Sequence, residues 1–374
     1  MITQPIAVLG AGHSGCAMAA DLSFHGYKVN FFEIPKFANS DIFKPILEKG
    51  MIEIIGAGPK RQAKIHKITT DIKEALADVR LIFLSMSAEG HLAFFKEMAP
   101  HLKDGQVVVI MPGNFGSLKL RRLLQEKNPG RNVIIYETTL PFYAARVIGP
   151  AKVNMIWRWG PNYKPEDDLL ARNVFIVAAS SLTAKDNDVA IKDLQEICPE
   201  IVQAKNILVV WLSNPSNLFH PICTLLNLGF VEHDSDNFYL WRDGATPSVI
   251  KALQAVADEI DSVAKAFGVK TARFKGDEKI ASAMKDYFGP TGVLSTAQGP
   301  GTIRSRYLAE DVLYGLVPIS QLAKKAGMSM PIVDGLVAIT SAIYQEDCYK
   351  AGQNLEKLGL AGLSREQIIK LIEG

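Results

Sequence analysis

Residues 6–15 read Ile6-Ala-Val-Leu-Gly-Ala-Gly-His-Ser-Gly15, and this stretch decides the fold. Four apolar residues, Ile6 to Leu9, are too few for a helix and suit a short buried strand. Glycines follow at the spacing GxGxxG, and a helical run from Cys16 to His25 stops at Gly26. Val29-Asn-Phe-Phe32 reads as a second strand, ending on Glu33. Each glycine has its own task. Gly10 permits the tight turn, Gly12 lets a pyrophosphate approach the main chain, and Gly15 lets the helix pack on the sheet. Free amide groups at the helix start would hold the phosphates. Glu33, 23 positions after Gly10, would accept hydrogen bonds from the adenosine ribose and repel a 2′-phosphate. NAD is therefore the expected cofactor, and Lys36 nearby keeps NADP open. His13 and Ser14 complete the cofactor loop, as packing or hydrogen-bonding residues rather than catalysts.

The alternation continues. Val79–Leu84 reads as a strand, Gly90–Met98 as a helix, Val107–Met111 as a strand closed by Pro112-Gly113, and Val133–Tyr136 as another. Val174–Ala178 adds one more strand, followed by a helix over Asn187–Ile197. Continuous apolar strands between helices predict a parallel sheet covered on both faces, a doubly wound Rossmann domain over residues 1–203. Ligands of such sheets sit at the carboxyl ends of the strands. Ser85, Gly113, Asn114 and Glu137 fall there; Ser85 is assigned to the cofactor, while Glu137 and the adjoining Thr138 are candidates for the substrate. A turn role competes for Glu137, and Gly113 reads as a turn residue.

Residues 204–374 read as an all-helical second domain. Leu253, Val256, Ile260, Val263 and Phe267 form one helical stripe capped by Gly268, and Leu336, Ile339 and Ile343 form another. Two stretches carry chemistry. In Ser213-Asn-Pro-Ser-Asn-Leu-Phe-His-Pro221, Pro215 and Pro221 must bend or break a helix, with Asn214 and His220 beside the breaks. In Arg304-Ser-Arg-Tyr-Leu-Ala-Glu-Asp311, Arg306 suits a bidentate clamp on a carboxylate, and Asp311 suits an imidazole partner. Blander readings stand beside these: a structural histidine at a kink, and an Arg306–Glu310 surface ion pair. Spacing alone does not bring Asp311 to His220, 91 positions earlier.

Bulk composition narrows the partners. The formal charge of +2, without a long Lys/Arg run, gives no footprint for nucleic acid or a membrane surface. No apolar run reaches transmembrane length. Four cysteines without CxxC spacing argue against a disulfide framework or a metal site and for a reducing cytoplasm. Small-molecule substrates are what remains.

The chain resembles the octopine/nopaline (opine) dehydrogenase family along essentially its whole length. The resemblance rests on the glycine loop, Met111-Pro-Gly113, Glu137-Thr-Thr-Leu-Pro141, Asn214 through His220-Pro221, and Thr224-Leu-Leu-Asn227. It continues in Gly244-Ala-Thr-Pro-Ser-Val249, Arg306-Tyr-Leu-Ala-Glu-Asp-Val312, Gly315-Leu-Val-Pro318 and Leu355-Glu-Lys-Leu-Gly-Leu360. It implies condensation of an amino acid or amine with a 2-oxo acid such as pyruvate, then reduction of the imine with NAD(P)H. It further implies His220 and Asp311 as a catalytic dyad, Arg306 near the oxo-acid carboxylate, and a homodimer. The rival enzyme reading is a carbonyl-reducing dehydrogenase of the ketopantoate reductase or glycerol-3-phosphate dehydrogenase type, which needs no amine. A non-catalytic NAD(H) sensor is the rival outside enzymes.

Overall fold

The computed structural model describes residues 2–56, 60–161, 175–274, 280, 287–292, 294–296 and 298–374. Two compact units emerge: Met1–Asn173 with Val177–Ile207, and Leu208–Gly374 with Val174–Ile176.

The described residues of the first unit form twelve strands. They are β1 (Ile6–Leu9), β2 (Val29–Phe32), β3 (Met51–Gly56), β4 (Arg61–Lys64), β5 (Lys67–Thr69) and β6 (Leu81–Ser85). β7 (Val107–Met111), β8 (Ile134–Thr138), β9 (Tyr143–Gly149), β10 (Lys152–Arg158), β11 (Ala178–Ser181) and β12 (Val202–Gln203) follow. Eight of them form one sheet in the order β12-β11-β8-β7-β6-β1-β2-β5. From β5 to β8 every pairing is parallel, in the order that defines a Rossmann sheet. β1, β6 and β7 are buried at every residue, because helices cover both faces. The strand order reverses between β1 and β6, so the crevice at their carboxyl ends is where such sheets take a dinucleotide.

Two features depart from the sequence reading. The strand expected over Val174–Ala178 runs instead over Ala178–Ser181 and pairs antiparallel with β8; Val174 lies outside the described residues. Phe175 forms a lone bridge to Phe274, which assigns it to the second unit. The other is a second sheet, β4-β3-β10-β9. Its signal was period-2 alternation: Ile52 and Ile54 point inward on β3, Val153 and Met155 on β10. Helix His13–Phe24 packs on β1 and β2 and also on β3, β4 and β9. That explains its near-continuous burial from Gly15 to Leu22 and the absence of a polar face. Asp21, fully buried on this helix, is met by Arg158 Nε at 3.1 Å and the Tyr143 hydroxyl at 3.0 Å, so the charge is paired rather than stranded.

The second unit is helical among its described residues. Thr246 caps helix Pro247–Ala266, whose stripe Leu253, Val256, Ile260 and Val263 is buried, and Gly268 follows at φ +71°. Helix Pro331–Tyr344 buries Val333, Leu336, Val337, Thr340 and Tyr344, but leaves Ile332 and Ile339 36% and 53% exposed. Helix Ile207–Ser213 ends before Asn214, and Pro215 opens the next helix, Pro215–Leu225, at its first turn, where no amide is needed. Pro221 lies inside that helix, which continues through it.

One buried base in the first unit sets an acid limit. His91, fully buried on helix His91–Met98, has its pKa pushed down to about 3 by desolvation and then by Lys119. In the unfolded chain the same ring titrates near 6.5. Between those values only the unfolded chain takes the proton, so stability falls as pH drops, by on the order of 4 kcal/mol in all. His91→Leu is expected to move the acid-unfolding midpoint, followed by circular dichroism, to lower pH. An unmoved midpoint rejects His91 as the acid-sensitive group.

Candidate active site

The glycine loop shows the geometry its sequence demands. Gly10 has φ +100°, and a β-carbon there would lie 2.9 Å from the Ser85 carbonyl oxygen. A β-carbon on Gly15 would collide with the Gly10 carbonyl, whereas one on Gly12 would meet nothing within 4 Å. The loop is therefore closed on the sheet side and open at Gly12. The first intrahelical bond runs from Cys16 N–H to the Gly12 carbonyl, and Gly12 carries no side-chain cap. The amides ahead of it thus have no intrahelical acceptor. Glu33 closes the end of β2. Its two oxygens accept Ala11 N–H at 2.7 Å and Ile34 N–H at 2.8 Å, while burial pushes its pKa up against those two bonds. The Ser85 hydroxyl, at the end of β6, is buried and has no hydrogen-bond partner among the described residues.

Several expected ligand-binding side chains serve the main chain instead. His13 Nδ1 accepts Val147 N–H at 3.0 Å, and the Ser14 hydroxyl donates to the Tyr143 carbonyl at 2.7 Å. Both partners lie on β9, the edge of the second sheet, whose outward amides and carbonyls need satisfying. Glu137 also bonds to main chain. Its carboxylate is fully buried and accepts Phe115 N–H at 3.1 Å and Ser117 N–H at 2.8 Å, capping helix Gly116–Lys127. It thereby holds Asn114 and Phe115 at φ +43° and +63°, a backbone that costs about 1 kcal/mol or more per residue. Gly113 has no room for a β-carbon beside that carboxylate. Thr138 donates its hydroxyl to the Leu140 carbonyl at 2.7 Å, and Asn214 Oδ1 caps its own helix through Ser216 N–H at 2.9 Å. Glu137, Thr138 and Asn214, the candidates for contact with the substrate, thus each also satisfy a main-chain group.

The second unit joins the residues that sequence spacing left apart. His220 Nδ1 lies 2.7 Å from Asp311 Oδ2. Helix Pro215–Leu225 carries the imidazole, and a π-helical turn, Asp311–Leu316, carries the carboxylate. Asp311 is 1% exposed, and desolvation raises its pKa to about 7 despite the opposing charge of Arg306. A carboxyl whose pKa is raised this far, in hydrogen-bond contact with an imidazole, makes a coupled pair. Arg306 lies 3.6 Å from buried Glu310, so the ion pair kept as an alternative is present. Its side chain is still 54% exposed and charges the neighbourhood of Asp311. Burial works against the guanidinium charge, and Glu310 and Asp311 more than offset it.

Aromatic rings hold the imidazole in place. Tyr307 stacks on His220 with centroids 3.8 Å apart and planes 5° from parallel. Trp241, on a second π-helical turn, Leu240–Gly244, sits 5.8 Å away and stacks in turn on Phe288. Sequence reasoning assigned no role to either ring. Tyr307 was within reach, next to Arg306 in the same motif, but Trp241 had no local signal.

Comparison with known proteins agrees with this geometry. Residues 203–344 match the model of the NAD/NADP octopine/nopaline dehydrogenase alpha-helical domain. An opine dehydrogenase from Arthrobacter sp. (strain 1C) is 28% identical, and the alignment covers 99% of both chains. Vitopine synthase from Allorhizobium ampelinum is 23% identical at the same coverage. A solved octopine dehydrogenase with NADH and L-arginine superposes with a TM-score of 0.69 at 17% identity, over 98% of each chain. With a Rossmann sheet in one unit and the matched helical domain around His220 and Asp311 in the other, the chain carries the octopine/nopaline dehydrogenase alpha-helical domain and is similar along its whole length to opine dehydrogenases, which are NAD(P)-dependent oxidoreductases.

Proposed function

We propose that this enzyme condenses an amino acid or amine with a 2-oxo acid such as pyruvate and reduces the imine to an N-(1-carboxyalkyl)amino acid, with the reverse oxidation also open to it. The observation that carries this reading is the buried His220–Asp311 pair with half-exposed Arg306 beside it. The names of the relatives support it, as do octopine dehydrogenase structures with L-arginine and with pyruvate.

The residues of the first unit fit a dinucleotide. Gly12 leaves room for the pyrophosphate, the amides of the first helical turn lack intrahelical acceptors and suit its phosphates, and the buried Ser85 hydroxyl has no partner among the described residues. Glu33 meets the ribose hydroxyls and favours NAD over NADP, because a 2′-phosphate would face its carboxylate. When bound, the nicotinamide supplies the hydride.

The remaining steps are acid–base chemistry on this chain. An amino group attacks only as the neutral amine, so a proton must leave it before the C–N bond forms. With Nδ1–H donated to Asp311, His220 offers its other nitrogen, Nε2, for that proton. As the C–N bond forms, the nitrogen passes a second proton to the carbonyl oxygen, making a hydroxyl; the imidazolium then returns the first proton to that hydroxyl as the C–O bond breaks, water leaves and the protonated imine remains. Asp311 fixes the tautomer and stabilises the imidazolium. Arg306 forks onto the oxo-acid carboxylate.

The enzyme acts as a homodimer in the cytoplasm. Four free, buried thiols suit a reducing compartment, and Ile332, Ala338, Ile339 and Ala342 give helix Pro331–Tyr344 an exposed apolar face fit for a second copy.

The decisive experiment is NADH consumption by the purified protein with pyruvate, with and without a panel of amino acids. Oxidation that needs both partners is expected; oxidation with an oxo acid alone would make this a carbonyl reductase. His220→Ala is expected to lose roughly 10²- to 10⁴-fold in turnover while NADH affinity holds. For Arg306→Gln, loss of the one cation that lowers the Asp311 pKa leaves that carboxyl higher still. The acidic limb of kcat/KM should then move up by roughly half a unit to one unit, the exposed arginine being partly screened. An unmoved limb removes Arg306 from the electrostatics of the pair. Ile339→Lys should halve the molar mass read by light scattering, and a monomeric wild type would end the dimer proposal.

A further inference from the structure

Asn217 stands one helical turn before His220 on helix Pro215–Leu225, and Gly315 stands four residues after Asp311 in its π-helical turn. The two meet. A β-carbon on Gly315 would lie 2.7 Å from Asn217 Nδ2 and closer still to its Cγ and Oδ1, so a side chain at position 315 requires Asn217 to move. Gly315 does not adopt positive φ, so it is there for space rather than for backbone freedom. The contact is thus a rung next to the His220–Asp311 hydrogen bond, joining the same two elements.

Asn217 is a costly residue to keep there. It is 1% exposed, and neither carboxamide atom has a hydrogen-bond partner among the described residues. Burying an unpaired amide costs roughly 1–3 kcal/mol. Pro221 brings no N–H, so the Asn217 carbonyl loses its helical donor as well. A leucine, with the same number of side-chain heavy atoms but a larger volume, would escape the side-chain cost. What leucine lacks is flatness: a planar carboxamide can lie against glycine main chain, whereas a branched isobutyl group stands further off.

We propose that Asn217 and Gly315 are positioning residues, which set the spacing of the His220 helix and the Asp311 turn and so the strength of the catalytic pair. Neither touches substrate. A hydrogen bond of 2.7 Å is lost once its atoms separate beyond about 3.5 Å, so a shift of under an ångström at the rung is enough to uncouple the pair. This inference rests on the proposed acid–base role of His220 and Asp311.

The test is Gly315→Ala in the full-length protein, with kcat/KM followed across pH, NADH affinity by fluorescence titration, and Tm. The added methyl group should push Asn217 away, lower turnover roughly tenfold or more and displace the pH–rate profile, while NADH affinity stays unchanged. Gly315→Ala combined with Asn217→Ala should recover most of the turnover and the original profile, because the shortened side chain restores the space. Asn217→Leu should lower turnover without lowering Tm. Wild-type turnover and profile in Gly315→Ala, or a double variant no better than the single one, overturns the proposal. Should Gly315→Ala fail to fold, Asn217→Leu decides by the same profile. His220→Ala separates the two levels: if it remains active, the acid–base reading itself fails, whereas an inactive His220→Ala with an unaffected Gly315→Ala overturns the rung alone.

Discussion

The 2.7 Å hydrogen bond between His220 and Asp311 is the constraint around which the second unit is arranged. An isolated carboxylate as buried as Asp311 would be protonated well above its ordinary range, and burial does drive it to about 7. Arg306 draws it part of the way back toward ionisation. The balance leaves the carboxyl raised to about 7 and in hydrogen-bond contact with the imidazole. Tyr307 and Trp241 bring no proton. They restrict the imidazole ring, so that its second nitrogen keeps one direction.

The way the chain reaches this pair is unusual in its backbone. Asp311 lies on one π-helical turn and Trp241 on another, and His220 precedes a proline that removes a helical hydrogen bond. Three departures from regular helix therefore meet at one imidazole. Each weakens local backbone bonding, and each re-aims a side chain that a regular helix would direct elsewhere.

In the first unit the governing rule is that main-chain groups are satisfied before ligands. Edge strand β9 takes the side chains of His13 and Ser14, and the start of helix Gly116–Lys127 takes Glu137. What these residues leave open is backbone: the amides around Gly12 and the carboxyl ends of β1 and β6. A dinucleotide, with its phosphates and ribose hydroxyls, suits such a surface.

The Rossmann core was legible in the sequence because its determinants are local. Ile6–Leu9, the three glycines and Glu33 lie within one βαβ unit, and each glycine answers a steric demand set by near neighbours. The stripe Leu253–Val263 was legible for the same reason, since helical periodicity is written along the chain. The second sheet was not recognised, because β3 and β10 are short, half-buried and 96 or more positions apart at their start and end points, so their pairing has no local mark. Roles of polar side chains were hardest to assign. Glu137 and Asn214 are in motifs that suggest ligand contact, yet the nearest unsatisfied amides claimed them. The His220–Asp311 bond was anticipated only through family resemblance; no periodicity links residues 91 positions apart. Local sequence settles which groups a segment can offer, whereas tertiary packing decides which of them are desolvated, which are paired, and which remain for chemistry.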